Sequence, residues 1–591
     1  MAINVNDVSK FRFIAHKVMP LVFDESLSYY EFLCKVLQKL NEVIDNEDNQ
    51  NQVLQQFDTE ITRWEDETDL KYQQFVAQVD QAIADFEEAE VAARGLFEES
   101  VIGRQTEFEG EISGQQEQFE EQINEDFQDF FDHYLQTLGV VQTTGTSTTD
   151  VMSQKAVTDE LNKTANKYRS VPIYAPNDFT WQNNPLTGKI YNDYKGNVTV
   201  DYDVSENDVS ENGVTYYVNY PTGNDSNTGL DAEHPLKTMA AAYNKSDVSC
   251  IMLAGGIIPS TSSLFQTPIQ KDIAIKASED NPAYVCTSVT RTFTEISGHT
   301  GCYQNSIGNT RGIIDHAVKN KAGDDLQYTM VNSVDDVYAT AGSWYHSSGV
   351  LYIHTADNRE PDGNIIVLRN GDNLKITASA TVYLENVKFY GGLSPLIAQA
   401  PTGGVIKIYA KNCDFFYSDY STTQYDLVML EGVTEAIFQN CRAKYGNKDG
   451  FNYHKGTANI IPKAIEINCE GAFCGNSNDS DDQGSTMHDT GKIIRVNGMY
   501  HDTYGSCIAD NTAGTEAWNV GCVCYNSFGE GGQGANFFVY DDVKMWNDSC
   551  VGFGSTYNLA IHNATAVMGI RNCKFTGTLT PAGHEDRVTY Y

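Results

Sequence analysis

The sequence predicts a mainly β protein, a right-handed parallel β-helix preceded by a long N-terminal α-helical coiled-coil stalk with an 11-residue repeat. Two internal repeats carry that reading. Val53 and then aromatic residues from Trp64 to Phe130 recur every eleven positions, and a turn led mostly by Asn, in several repeats followed by Cys, returns about every 24 to 29 residues between 386 and 573. Length supplies the third observation, because 591 residues exceed one ordinary compact domain. The chain divides into a head (1–48), a stalk (49–139), a joint (140–213) and the β-helix (214–591), with an insertion at about 290–360.

In the head, Phe32, Leu33, Val36, Leu37, Leu40 and Ile44 fall at helical spacing, and Ser28 with Glu31 stands at capping-box separation. The stalk follows. Val53, Trp64, Phe75, Phe86, Phe97, Phe108, Phe119 and Phe130 form one column, with Thr68, Val79, Glu90, Val101, Ile112, Ile123 and Tyr134 in a second, four residues later. Eleven residues in three turns is 3.67 per turn, which winds straight or gently right-handed. The other positions are mostly Glu, Gln and Asp, as a solvated face requires. Gly95, Gly103, Gly110 and Gly114 each weaken the helix by about 1 kcal/mol without shifting its phase. A seam this long needs a partner. Either the helix folds back within one subunit or identical chains supply it, and the uninterrupted register favours a parallel homo-oligomer. The repeat does not set the number of copies.

At the joint, Thr143 to Lys163 holds the segment STTDVMSQKAVTDEL. It resembles a motif at the junctions of bacteriophage tail-fibre proteins, nearly word for word over some twenty residues. The opening stretch FRFIAHKVMPLVFDESLSYYEFLCKVLQKLNEVID is similar to the N-termini of phage tail appendage proteins. The resemblance implies a tail spike or tail appendage in the virion, a homotrimer whose N-terminus docks on tail or baseplate proteins. Residues 164–213, rich in Asn, Asp, Pro and Tyr, read as a loosely ordered connector with some short strands.

From Tyr216 the pattern YYVNYPTGNDSNTGLDAEHPLKTMAAAY, then CIMLAGGI and IAIKAS, resembles the entry to pectate-lyase-like β-helices. The coil repeat then runs through Asn386, Asn412, Asn440, Asn468, Asn497, Gly521, Asn547 and Asn572. Asparagine tolerates the left-handed backbone of tight turns, and stacked copies share amide hydrogen bonds. Cys413, Cys441, Cys469, Cys522 and Cys573 hold the same place in their repeats and predict an interior ladder of thiols. The segment before Cys250 and the C-terminal TLTPAGHEDRVTYY are the candidate caps.

A second strand follows each turn: DGFNYH, GSTMHD, SCIADN, FFVYDD and NLAIHN. Taking Tyr453, Met487, Ala509, Tyr540 and Ile561 as inward leaves His454, His488, Asp510, Asp541 and His562 as an outward stripe, with Asp449, Asp489 and Asp502 nearby. Glycan hydrolysis needs two carboxyl groups about 5 to 9.5 Å apart, and strands stack at about 4.8 Å. Asp489 and Asp510 are the candidate catalytic pair, with His488 or His454 orienting substrate. A solvated stripe and a non-hydrolytic binding groove remain open beside that reading. The run SNDSDDQ (Ser477 to Gln483) offers hard oxygens for Ca2+ without EF-hand spacing, and a solvated loop is the simpler reading. The resemblance to pectate lyases carries no active site across: Arg442 and Arg495 are candidates for their basic residue that no motif supports.

A net charge of −40 and the absence of a basic run argue against nucleic acid as a partner and against anionic membranes. No apolar run approaches ~20 residues, and the N-terminus lacks a secretory pattern. The expected function is recognition of a bacterial surface polysaccharide, with or without its depolymerisation. A free secreted lyase or hydrolase and a non-enzymatic adhesin are the alternatives.

Overall fold

The computed structural model describes residues 171–591, except 194–196, 308–309, 419–424, 476–481, 530–533, 564 and 582–584. The head, the stalk and the STTDVMSQKAVTDEL segment lie outside the described residues.

Three parallel sheets run side by side through the body, and each coil of chain contributes one strand to each. Sheet A has twelve strands from Val214–Val218 to Val588–Tyr590, sheet B ten from Gly256–Ile258 to Lys574–Phe575, and sheet C nine from Pro268–Ile269 to Tyr557–Ile561. One coil shows the path: Glu435–Gln439 in sheet A, Arg442–Gly446 in sheet B, Phe451–His454 in sheet C, then Lys463–Ile467 back in sheet A. Each strand pairs in parallel with its counterpart one coil away. This is a parallel β-helix. The short helix Met239–Tyr243, capped by the Thr238 hydroxyl, packs Met239 and Ala242 against the first coils, and Val588–Tyr590 extends sheet A at the other end.

The turn from sheet A to sheet B explains the asparagine repeat. Asn386, Asn412, Asn440, Asn468, Asn497 and Asn572 have φ between 51° and 58°, the left-handed region that asparagine tolerates. The Asn412 amide donates to Asn386 Oδ1 at 3.0 Å, Asn440 to Asn412 at 3.0 Å and Asn468 to Asn440 at 2.9 Å. Gly521 replaces asparagine where φ is 64° and an added Cβ would lie 3.0 Å from Val198. At one repeat the expected register is wrong by two residues. Ser549 (φ 55°) makes the turn, while Asn547 sits inside the coil, bonded to Asn519. Cys550 therefore joins the thiol ladder with Cys413, Cys441, Cys469, Cys522 and Cys573, all free and all but Cys573 fully buried.

The interior is apolar at most levels, but sheet A turns polar inside four successive coils. Pairing lines Glu466, Arg495, Asn519 and Asn547 in one inward column. Arg495, fully buried, bonds Asp510 through both terminal nitrogens (3.0 and 2.8 Å) and Ser485 through Nε (2.8 Å). Glu466 accepts from Tyr453, Ser485 and Tyr500.

Residues 171–213 are not the loose connector their composition suggests. They form a strap along the outer face of sheet A, with a small antiparallel sheet of Val171–Pro172, Ile190–Asn192 and Val198–Val200. The strap runs from the last coil to the first. Tyr174 O accepts from Arg571, Phe179 packs on Trp518 and Trp546, Val204 N–H donates to Gln439, Asp203 pairs with Lys411, and Asp208 with Lys276. Beneath it lies an apolar column of Tyr383, Tyr409, Ile437, Ile465, Ile494, Trp518 and Trp546. Sheet A is thus buried on both faces.

Between Ala283–Cys286 and Leu374–Ile376 the chain leaves the coils and builds a five-stranded and a three-stranded sheet around Tyr303, Ile313, Trp344, Leu351, Ile353 and Val367. This excursion sits on the early part of sheet B. Asp324 takes Arg442 at 3.0 Å and Lys444 at 2.7 Å, and Tyr417 OH donates to Asp325 O at 2.6 Å.

Candidate functional site

With sheet A strapped and early sheet B occupied, sheet C carries a polar column facing outward. Strand pairing puts Gln399, Glu431 and His454 at one level. It also aligns Tyr453, Met487, Asp510, Val539 and Ile561 on the inner side. The residues one step further, His454, His488, Asn511, Tyr540 and His562, therefore continue the outer column. The His454 and His488 rings stack at 4.0 Å, and those of Tyr540 and His562 at 4.2 Å.

Three of the five predicted stripe residues, His454, His488 and His562, stand in this column. The other two do not. Asp510 points into the coil, fully buried against Arg495, and Asn511 holds its expected place. Asp541 lies in the turn one residue past Tyr540, which points outward rather than inward. Both errors are single-residue slips. A strand of period two reverses every side chain when shifted by one, and the motif SCIADN contains nothing that sets its phase. Asp489 and Asp510 therefore do not meet. One lies in an outer turn and the other inside the coil.

Asp489 follows His488 with φ 62° and reaches back one coil, where His454 Nδ1 lies 3.1 Å from its Oδ2 and the Lys455 N–H donates at 3.2 Å. Partial burial pushes this carboxyl up, but the bonds from His454 and Lys455 outweigh it and hold it below the usual range. His488, its Nε2 3.0 Å from the Thr486 hydroxyl, is pulled down to about 3 by burial and by the neighbouring His454, so it is neutral. Glu431, bonded to Gln399 at 3.0 Å, flanks His454 on the preceding strand.

Beneath the column, toward sheet B, lies a group that sequence reasoning touched only at Asp449. Asn452 Nδ2 donates to Asp426 Oδ2 and Asp449 Oδ2, both at 2.9 Å, and Lys448 Nζ stands 3.5 and 3.9 Å from the two carboxylates. Burial pushes both carboxyls up, most of all Asp449, where the Asp426 charge adds to it. They are 4% and 2% exposed, too enclosed to meet a polymer directly. The sequence signal for this group was the return of Asp at the entry to successive sheet C strands.

The remaining candidates lie elsewhere. Asp502 is on sheet B, 2.6 Å from His501 Nδ1. Arg442 is paired with Asp414 and Asp324 on the same sheet, and Arg495 is internal. Among the described residues, no group of three His, Cys, Asp or Glu side chains is arranged to hold a metal ion. Most of the run proposed for Ca2+, residues 477–481, lies outside the described residues. No described helix is long and apolar enough to cross a membrane.

No family model matches the chain, and no curated protein matches it. Solved structures that resemble the body include XylC with xylose (11% identity, 61% of this chain, 70% of that one, TM-score 0.37). They also include pectate lyase Pel9A (12%, 64%, 82%, 0.30) and the tailspike protein gp49 from Pseudomonas phage LKA1 (11%, 58%, 72%, 0.22). At such scores the architecture rests on the strand pairing itself.

Proposed function

We propose that this chain is a bacteriophage tail spike or tail appendage whose β-helix holds a bacterial surface glycan along the outer column of sheet C. The observation that carries the reading is the column itself. Gln399, Glu431, His454, His488, Asn511, Tyr540 and His562 present donors, acceptors and rings at the strand spacing, over about 29 Å. A linear polymer with hydroxyls on every unit matches such a ladder. The charge of −40 favours a neutral polymer over an anionic one. The tail assignment is supported by STTDVMSQKAVTDEL and by the hendecad stalk, which together suggest a parallel homotrimer docked through its N-terminus on tail or baseplate proteins.

Cleavage is the second reading, favoured by one contact. Asp489 orients the His454 imidazole beside Glu431, an arrangement that suits proton transfer at a glycosidic oxygen or at a sugar carbon. In this reading Asp489 positions His454 rather than acting on the glycosidic bond itself, and Glu431 takes the place expected of Asp510. The test incubates the full-length chain with purified capsular and wall glycans, measuring binding by calorimetry and new reducing or unsaturated ends by chromatography. Binding that is lost in Tyr540→Ala and His562→Ala supports the column. Cleavage abolished by Glu431→Gln with binding retained supports the second reading. A glycan bound equally well by all three variants would refute the site.

A further inference from the structure

A cleft of about 470 Å³ opens where the excursion leaves the coils and where it returns to them. Its apolar side chains belong to different cores. Tyr220 packs on the interior of the coils, Phe293 and Ile365 on the centre of the excursion, and Ile257 on the cluster around Tyr390 that lies between. Each is held toward its own cluster, so the wedge at the seam stays open. The polar rim is uncommitted. Thr290, Arg291, Thr292 and Glu360 are exposed, and among the described residues their side chains make no hydrogen bond or ion pair. Arg359, Arg442, Arg495 and Arg571, by contrast, all hold carboxylates. Asp362, also in the cleft, accepts from the Asn364 N–H and amide, both at 2.9 Å. The charges left to a ligand are therefore one cation and one anion.

We propose that this cleft is a second saccharide site, separate from the column of sheet C, that takes the end or a side branch of a neutral surface glycan. The proposal shares with the proposed function the reading of a glycan-holding body, but it does not rest on the column. Size sets the length of the ligand. The cleft falls within the range of about 300–1,000 Å³ that small-molecule sites occupy. The column runs for about 29 Å and suits a stretch of polymer, whereas the cleft admits only a short piece of one. Its lining sets the chemistry. A sugar ring has an apolar C–H face, which the Tyr220 and Phe293 rings and the Ile257 and Ile365 side chains meet. Its hydroxyls both donate and accept, which answers the Arg291 donors, the Glu360 acceptor and the two threonine hydroxyls. A polyphosphate or other polyanion would face Glu360, Asp362 and a chain charge of −40. A wholly apolar ligand would strip water from Arg291 and Glu360 and return no hydrogen bond. A neutral, hydroxyl-rich ring meets neither objection.

The test uses the full-length chain and saturation-transfer NMR with the methyl glycosides of glucose, galactose, mannose, N-acetylglucosamine and rhamnose. Glucuronic acid is the anionic comparison. At least one neutral glycoside should show transfer, with affinity reduced roughly tenfold in Arg291→Ala or Glu360→Gln. Thr290→Trp, whose indole fills the cleft, should abolish it. These three side chains have no described partner to lose, so the variants should keep the wild-type Tm. Tyr540→Ala and His562→Ala should leave glycoside binding unchanged while they remove polymer from the column. Absence of transfer from every neutral glycoside overturns the cleft, and so does transfer that survives Thr290→Trp. Transfer from glucuronic acid alone overturns the neutral class and the proposal with it. Glycoside binding that Tyr540→Ala removes and Thr290→Trp leaves intact refutes the cleft while the column stands. Polymer binding that ignores both column variants but is lost in Thr290→Trp refutes the column and supports the cleft.

Discussion

Replacing Asp510 with asparagine tests whether the acidic residue that sequence reasoning put on the surface is an internal structural one. Asp510 takes both terminal nitrogens of Arg495, and neither side chain has any exposure. Without that carboxylate the guanidinium keeps Ser485 and Asn519 as neutral acceptors and Glu466 as a nearby charge. Removing one member of a buried pair costs about 3–5 kcal/mol, and the surviving acceptors put this case near the lower end. For a body of about 400 residues the unfolding entropy is on the order of 0.8 kcal/mol per kelvin, so the expected loss in Tm is about 4–6 °C. Scanning calorimetry on the full-length chain measures it. Hydrogen exchange should localise the loosening to the coils around Lys492–Val496 and Glu516–Val520. Replacing both partners, Asp510→Leu with Arg495→Met, should recover most of the loss, because apolar residues of similar volume replace buried ion pairs at little cost. An Asp510→Asn protein with wild-type Tm and exchange, yet altered glycan handling, would refute the internal assignment.

Three further outcomes follow from the same coordinates. Asn440→Ala should lose about 2–4 kcal/mol, from the left-handed turn and its amide bonds with Asn412 and Asn468, and Asn440→Gly clearly less; equal melting points for the two would exclude a backbone role. Phe179→Ala should cost about 3–5 kcal/mol and release the strap, read as faster tryptic cleavage at Lys189 while the coils stay intact. His488, at about 3 when folded and near 6.5 when unfolded, binds its proton mainly in the unfolded chain between those values. Its contribution to stability is complete above about pH 6.5 and declines as pH falls toward about 3. An imidazole resonance of His488 that titrates near 6.5 in the folded protein would contradict this, as would acid sensitivity unchanged in His488→Gln.

The coil architecture was legible because its signal is periodic and local. Asn412, Asn440 and Asn468 each need the same unusual φ, and each is followed by a thiol that fits the same interior slot. The column on sheet C was legible only where a second residue set the phase. The His454 and His488 strands carry Tyr453 and Met487 as unmistakable inward residues, whereas Ile508, Ala509 and Asp510 leave the choice between two registers open. What settles it is Arg495, fifteen residues earlier, which needs a buried anion. The strap was invisible for another reason. Its apolar residues, Ile173, Phe179, Trp181, Leu186 and Ile190, follow the spacing of the sheet beneath rather than any period of their own. The readable trace lay in sheet A, where strands such as Lys492–Val496 and Glu516–Val520 place Ile494, Val496, Trp518 and Val520 on the outward face and imply a cover.

That cover has a consequence for how the molecule is made. Outside the excursion, coils stack by contacts between neighbours some 20 to 35 residues apart, so they can assemble in the order in which the ribosome releases them. The strap is synthesised before any of them, yet its bond from Arg571 to Tyr174 spans 397 residues. It cannot seat fully until the last coil exists. During synthesis the Ile437–Ile465–Ile494–Trp518–Trp546 ridge stands bare, and the interval before docking is when a nascent chain is most exposed to mispairing with its neighbours on the same polysome.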